Sequence, residues 1–330
     1  MGRQVTNKVL YKRLQLWHHV LMTTPARLRI GTFTPSLLVD IARSTGRLDR
    51  AGLHVTETAV LSSPAQFRSL EAGEFDVVMT SPDNVLAYRF LSSNPLQRNL
   101  PVEIIAGVDR GLGLSLCLAP SVPDVADVRG RAVGVDVPGS GFAFVAFALL
   151  QRAGLGHDDY AIQSLGSTPR RAGALAEGAC AATVLNAGNE LRAIAAGCRV
   201  VSTVADIGPY LGTVMAAMSA DDPEITGPRE RLADVVIGTA RDVVAGRLRT
   251  EVLEAAGRLL GLAEPQARAH LDCLLDPTHG LITDGRVDES SIETLIDLRR
   301  EHGPSPDLDV VSATWRTMLA TTGFATGRLA

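Results

Sequence analysis

From residue 27 onward, short runs rich in Val, Ile and Leu alternate with amphipathic stretches of helical length, and this order is what most constrains the fold. Residues 28–32, 53–59 and 75–80 read as strands. Helices over 37–43 and 63–71 lie between them, the first opened by Pro35 and Ser36 and the second capped by Ser62 or Ser63. The resulting βαβαβ order requires crossover connections, so it specifies a parallel sheet with helices on its faces. A helix over 82–91, a strand over 102–107, a glycine-spaced stretch at 109–113 and a strand over 114–119 continue the pattern. A second unit then begins. A helical turn at 125–130 precedes strands over 132–135, 160–165, 181–185 and 199–202, interleaved with helices over 142–153, 168–176 and 189–196. The strand 213–219 leaves this unit, and after Pro223 the chain reads as mostly helical, over 230–246, 250–261, 265–275 and 292–301. There is no short-period repeat.

The length of 330 residues suits two medium α/β lobes better than one core. Hydrophobic residues make up 46% and aromatics only 4%, so the core is built from Ala, Val and Leu and the chain is not disordered. A net charge of −4, with no basic stripe carrying interleaved aromatics, argues against nucleic acid as a partner. Lys8 and Lys12 are the only lysines. Nothing after position 12 can therefore form a Schiff base with a carbonyl substrate or with pyridoxal phosphate, and no cofactor is expected. Cys117, Cys180, Cys198 and Cys273 are scattered without paired spacing, which reads as buried free thiols and gives no metal site.

Residues 1 to about 25 stand apart: they hold both lysines, two of the seven His and one of the two Trp. His18 and His19 interrupt the short apolar patch and no small-residue cleavage site follows, so this leader does not read as a signal peptide. No apolar run reaches the roughly 18–20 residues that a membrane span needs. As it stands the sequence suggests a cytoplasmic location; translation from Met22, or another true start, leaves export open.

Five runs taken in order carry a resemblance: LRIGTFTPSLLVDIARSTGRLDRAGLHV, FDVVMTSPDNVLAY, DVRGRAVGVDVPGSG, LGSTPRRAGALAEGACAATVLNAGNELRAIAAG and DIGPYLGTVMAA. Over residues 26 to about 300 the chain resembles ABC-transporter substrate-binding proteins of the sulfonate, taurine and nitrate type. Their superfamily also holds pyrimidine-precursor synthases and a few lyases. The resemblance implies an α/β, two-lobed, periplasmic-binding-protein-like (type II) fold with a ligand cleft between the lobes. Lobe one would be 26–112 plus 217–330, and lobe two 113–216. It also implies a small-molecule ligand and an ABC-transporter permease as partner.

Ligands of such sheets sit beyond the carboxyl ends of strands, which singles out four loops. After the first strand, Thr32, Phe33 and Ser36 offer hydroxyls, helix-start N–H groups and an aromatic wall, or only an ordinary cap at Ser36. After the third strand, Ser81 reads as N-cap and Ser81 or Asn84 as pocket groups. Asp83 is awkward there, because it repels an anion. The third loop, Pro138 to Phe142, is the best anion candidate: Ser140 caps, Gly141 permits close approach, Phe142 follows, and the helix dipole favours negative charge. The fourth supplies Asn186, whose amide can read polar groups, and Tyr210 near the second crossing can close one side. Arg170 and Arg171 open a helix from which they could reach a ligand, although they read first as an exposed face, while the histidines point to no site.

Beside a lesser reading as a cytoplasmic ligand sensor or partner-binding module, two functions remain open on this scaffold. One is a binder of a small anionic organic ligand such as a sulfonate or carboxylate. The other is a cytoplasmic lyase, desulfinase or decarboxylase acting on a small organic acid. Desulfinase relatives carry a Cys in the loop after the first strand, where this chain has Phe33, and the pyrimidine synthases need a Lys that this fold lacks.

Overall fold

A computed structural model of the protein describes residues 24–303. The leader up to residue 23 and the segment from 304 lie outside the described residues.

Two five-stranded sheets organise the chain. The first holds β1 (Ala26–Thr32), β2 (Leu53–Ala59), β3 (Val77–Thr80), β4 (Val102–Asp109) and β10 (Thr213–Met218), in the order β2-β1-β3-β10-β4. The second holds β5 (Ser115–Leu118), β6 (Ala132–Val135), β7 (Ala161–Ser164), β8 (Ala182–Leu185) and β9 (Arg199–Thr203), in the order β7-β6-β8-β5-β9. β1 pairs in parallel with β2 and β3, as β6 does with β7 and β8, which fits the crossover pattern of the sequence. The two strands that meet the crossings run antiparallel: β10 between β3 and β4, and β5 between β8 and β9. Because β10 belongs to the first sheet, the chain re-enters that lobe at Thr213, four residues before the boundary expected at 217.

Eleven helices cover these sheets among the described residues. Lobe one carries α1 (Leu37–Ser44), the short α2 (Arg47–Arg50), α3 (Ser63–Glu71) and α4 (Pro82–Phe90). Lobe two carries α5 (Gly141–Arg152), α6 (Thr168–Ala176) and α7 (Asn189–Ala195). The chain ends with α8 (Pro223–Val244), α9 (Arg249–Leu260), α10 (Glu264–Leu275) and α11 (Glu289–His302). Caps set several starts: Ser36, Ser62, Ser140 and Asp288 each accept a first-turn N–H with their side chains. The sequence reading placed the start of α8 at 230. It begins instead at Pro223, with Asp222 capping Glu224 N and Pro228 held inside the helix. A proline this near the start removes only a bond of the first turns, so the helix passes through it.

One apolar cluster packs α8, α9 and α10 against one face of the first sheet, with Ile30, Val77, Met215, Val236 and Val252 buried. The second runs on from Phe67, Val102 and Ile104 into lobe two through Phe144, Val184 and Leu185. It also takes in Ile292, Leu295 and Ile296 of α11, the terminal helix, which packs on α5 of the other lobe. Each such fully buried side chain contributes about 1.5–3 kcal/mol. All four cysteines are free; three are buried and Cys273 is half-buried, more open than the sequence reading had it. Among the described residues no helix is long and apolar enough to cross a membrane.

Candidate functional site

The two crossings pass each other where a β-carbon at Gly212 would overlap the Asp109 carboxylate and the Gly111 backbone. Gly111, Leu112 and Gly113 all take positive φ, and Leu112 does so as a non-glycine residue at 44°. This sharp turn carries the chain from β4 into β5 and presents Leu112 to a cavity of about 130 Å³ between the lobes. At roughly 10–15 Å³ per water-sized centre the cavity suits an organic molecule on the order of ten heavy atoms rather than a small inorganic anion.

Eight of the ten candidate residues line this cavity: Phe33, Ser36, Ser81, Asn84, Ser140, Gly141, Phe142 and Asn186. They come from strand ends and helix starts of both lobes, which is why residues 150 apart in sequence meet. Thr32 is not in the wall; its hydroxyl donates to Glu57 Oε1 at 2.8 Å, and the same oxygen accepts from Ser36 N at 2.7 Å. Tyr210 is not in the wall either; it is buried beneath the crossings, and its phenol is pushed far up by that burial. Its hydroxyl faces that of Ser81.

The wall has an apolar side, made by Phe33, Leu37, Leu38, Met79, Leu260 and Leu274, and a polar side. Ser81 occupies the cap position of α4 yet makes no capping bond, contrary to the sequence reading; its hydroxyl faces the Tyr210 phenol instead. Asn84 donates to Thr80 Oγ1 at 3.0 Å, and Ser140 accepts from Ala143 N at 3.2 Å. Asn186 donates to Gly111 O at 3.4 Å, tying the fourth loop to the first crossing.

Arg171 corrects an expectation. The sequence placed it on an exposed helix face, but it is 1% exposed and lines the cavity. Its guanidinium donates to Gly166 O at 2.6 Å, Thr168 Oγ1 at 3.1 Å and Val184 O at 3.2 Å, while Nε has no partner. Burial lowers it to about 10, against the opposing pull of Asp136. Two further wall residues escaped the sequence reading. Asp136 directly follows β6 and has an unpartnered Oδ1, and His270 of α10 has an unpartnered Nδ1. Burial holds the His270 imidazole neutral by lowering it to about 4. The position of Asp136 at a strand end was the available signal; His270 had none, since α10 belongs to the helical tail.

The best anion candidate holds an anion of the protein's own. The Asp83 carboxylate packs against the first residue of α5: a β-carbon at Gly141 would lie 2.6 Å from Asp83 Cβ and 3.1 Å from Oδ2. Arg299 of α11 donates to Asp83 twice, at 2.8 and 2.6 Å, and to Gly139 O at 3.3 Å. Its guanidinium also lies 4.9 Å over the Phe144 ring. The side chains are 4% and 1% exposed, so this is a buried ion pair of lobe one, and its bond to Gly139 O makes it a clasp onto lobe two. Asp83, awkward beside a ligand, is satisfied here by Arg299. Other bonds cross the cleft: Ser167 N to Leu61 O at 2.9 Å, and Asn189 Nδ2 to Thr34 Oγ1 at 3.2 Å. No group of three or more His, Cys, Asp or Glu among the described residues is placed to hold a metal ion.

By sequence, no protein-family model and no curated protein matches the chain. Solved structures do. The alkanesulfonate-binding protein SsuA of Xanthomonas axonopodis pv. citri, bound to MOPS, has a TM-score of 0.68 at 16% identity over 87% of this chain and 96% of its own. The periplasmic aliphatic sulphonate binding protein SsuA of Escherichia coli has a TM-score of 0.61 at 18% identity, covering 88% of each chain. The desulfurization enzyme DSZB has a TM-score of 0.57 at 16% identity over 90% of this chain and 98% of its own.

Proposed function

We propose that this chain, whose two lobes have the periplasmic-binding-protein fold, is a substrate-binding protein that takes up a small organic acid with an apolar body between its lobes. The observation that carries this reading is that three residues of the cavity wall, Asp136, Arg171 and His270, each keep a buried polar atom without a partner: Oδ1, Nε and Nδ1. A buried polar group left unsatisfied costs about 1–3 kcal/mol, so three around one cavity favour a ligand that supplies missing partners. Arg171 and the hydroxyls of Ser81 and Ser140 offer the donors an acid group needs, and Phe33, Phe142 and Leu37 offer the apolar surface. The likeness to sulfonate-binding proteins of ABC import supports a sulfonate or carboxylate, and a membrane permease as the partner that accepts it.

A second reading, a lyase or desulfinase on the same scaffold, is supported by the likeness to DSZB and by the neutral imidazole of His270 in the wall, which has the protonation state of a general base. Against it, Phe33 stands in the loop after β1 and none of the four cysteines lines the cavity. The two readings separate when the chain is incubated with sulfonates, carboxylates and sulfinates and both thermal shift and ligand mass are recorded. Binding predicts a compound that raises the melting temperature and is recovered unchanged. A compound recovered altered, with turnover, makes the chain an enzyme.

A further inference from the structure

Asp136 stands out in the cavity wall because the protein satisfies only part of it. The residue is 7% exposed, follows β6 directly and lines the cavity, and Oδ1 has no partner. An ionised carboxylate can only accept hydrogen bonds, so the partner it lacks is a donor. Two groups face it. Ser63, at the start of α3 across the cleft, acts on the carboxylate with its hydroxyl and backbone N–H, and Arg171 of the same lobe acts on it through its charge. Arg171 forms no direct ion pair with it; three of its N–H groups go to Gly166 O, Val184 O and Thr168 Oγ1. The N-terminus of α5, the feature best suited to an external anion, is meanwhile taken by Asp83.

We propose, building on the binding reading above, that the ligand presents a nitrogen-bound hydrogen to Asp136 Oδ1, on an amine, amidine or N–H heterocycle, while its apolar body lies along Phe33, Phe142 and Leu37. Asp136 is then the specificity-determining residue of the site. A purely anionic ligand is disfavoured twice, by repulsion from the carboxylate and by leaving its acceptor buried and unpaired. A ligand with both an acid group and an N–H donor complements Arg171 and Asp136 together and leaves the buried wall without net charge.

Calorimetric titration with matched pairs tests this: phenylalanine against 3-phenylpropanoate, and 4-aminobutane-1-sulfonate against butane-1-sulfonate. Within each pair the compounds differ only in the amine. In at least one pair the amine-bearing member binds at least tenfold more tightly to the wild-type chain. In Asp136→Asn, which keeps the shape and removes the charge, that preference falls below threefold. The amine-free member binding as tightly as its partner overturns the proposal and leaves the binding reading intact. So does an amine preference that Asp136→Asn leaves unchanged. Failure of all four compounds to bind, with other small acids still raising the melting temperature, overturns the proposal alone; failure of every acid tried overturns the binding reading as well.

Discussion

Glu190 shows how far burial can move a single group. Its Oε1 accepts from Gly188 N at 3.2 Å, its Oε2 has no partner, and burial pushes the carboxyl up to about 8. In the unfolded chain the same group titrates near 4.5. The native state therefore holds a proton that the unfolded state gives up, so the contribution to stability is full below about pH 4.5 and is lost as pH rises toward 8. His270 acts in the opposite sense. Its imidazole falls from 6.5 to about 4 on folding, so acidification through that window favours the unfolded chain. Between pH 4.5 and 6.5 the two slopes oppose; above 6.5 that of Glu190 remains. Urea unfolding between pH 6.5 and 8 should show stability falling in the wild type and a flatter profile in Glu190→Gln.

At the scale of elements, α11 holds the cleft closed from one side. It belongs to the chain's helical tail yet packs on α5 of lobe two, and Arg299 joins α4 to the loop before α5. Removing one partner of a buried ion pair strands the other charge, so Arg299→Ala should cost about 3–5 kcal/mol in urea unfolding. Asp83→Ala added to that variant should cost far less than Asp83→Ala alone, because the charge it removes is already unpaired. Equal costs in both backgrounds would mean that the two charges are not coupled.

Element order was legible in the sequence because strand and helix periodicities differ, and the caps at Ser36, Ser62 and Ser140 marked helix starts. The wall residues at strand ends, such as Phe33, Ser81 and Asn186, were legible from the rule that ligands gather there. The partners of Asp83 and Arg171 were not. Those side chains are satisfied by residues up to 216 positions away or by carbonyls on neighbouring loops, and nothing local in the sequence encodes such pairing. Pro228 hid the first turns of α8 for a simpler reason: proline reads as a break unless its place in the first turns is known.

For the whole molecule, the fold is two lobes whose crossings turn at Gly111 to Gly113 and at Gly212, with the cavity beside them. Ligand, clasp and cross-cleft bonds all depend on the lobes meeting closely, as they do at Gly141 against Asp83. A methyl group there would sit 2.6 Å from Asp83 Cβ, so the lobes must separate to admit it. The most direct measurement is a calorimetric titration, on wild type and Gly141→Ala, of a compound found to raise the melting temperature. Binding in the cleft predicts one ligand per wild-type chain and an affinity at least tenfold weaker in the variant. Undiminished affinity in Gly141→Ala would place the ligand elsewhere and contradict the account.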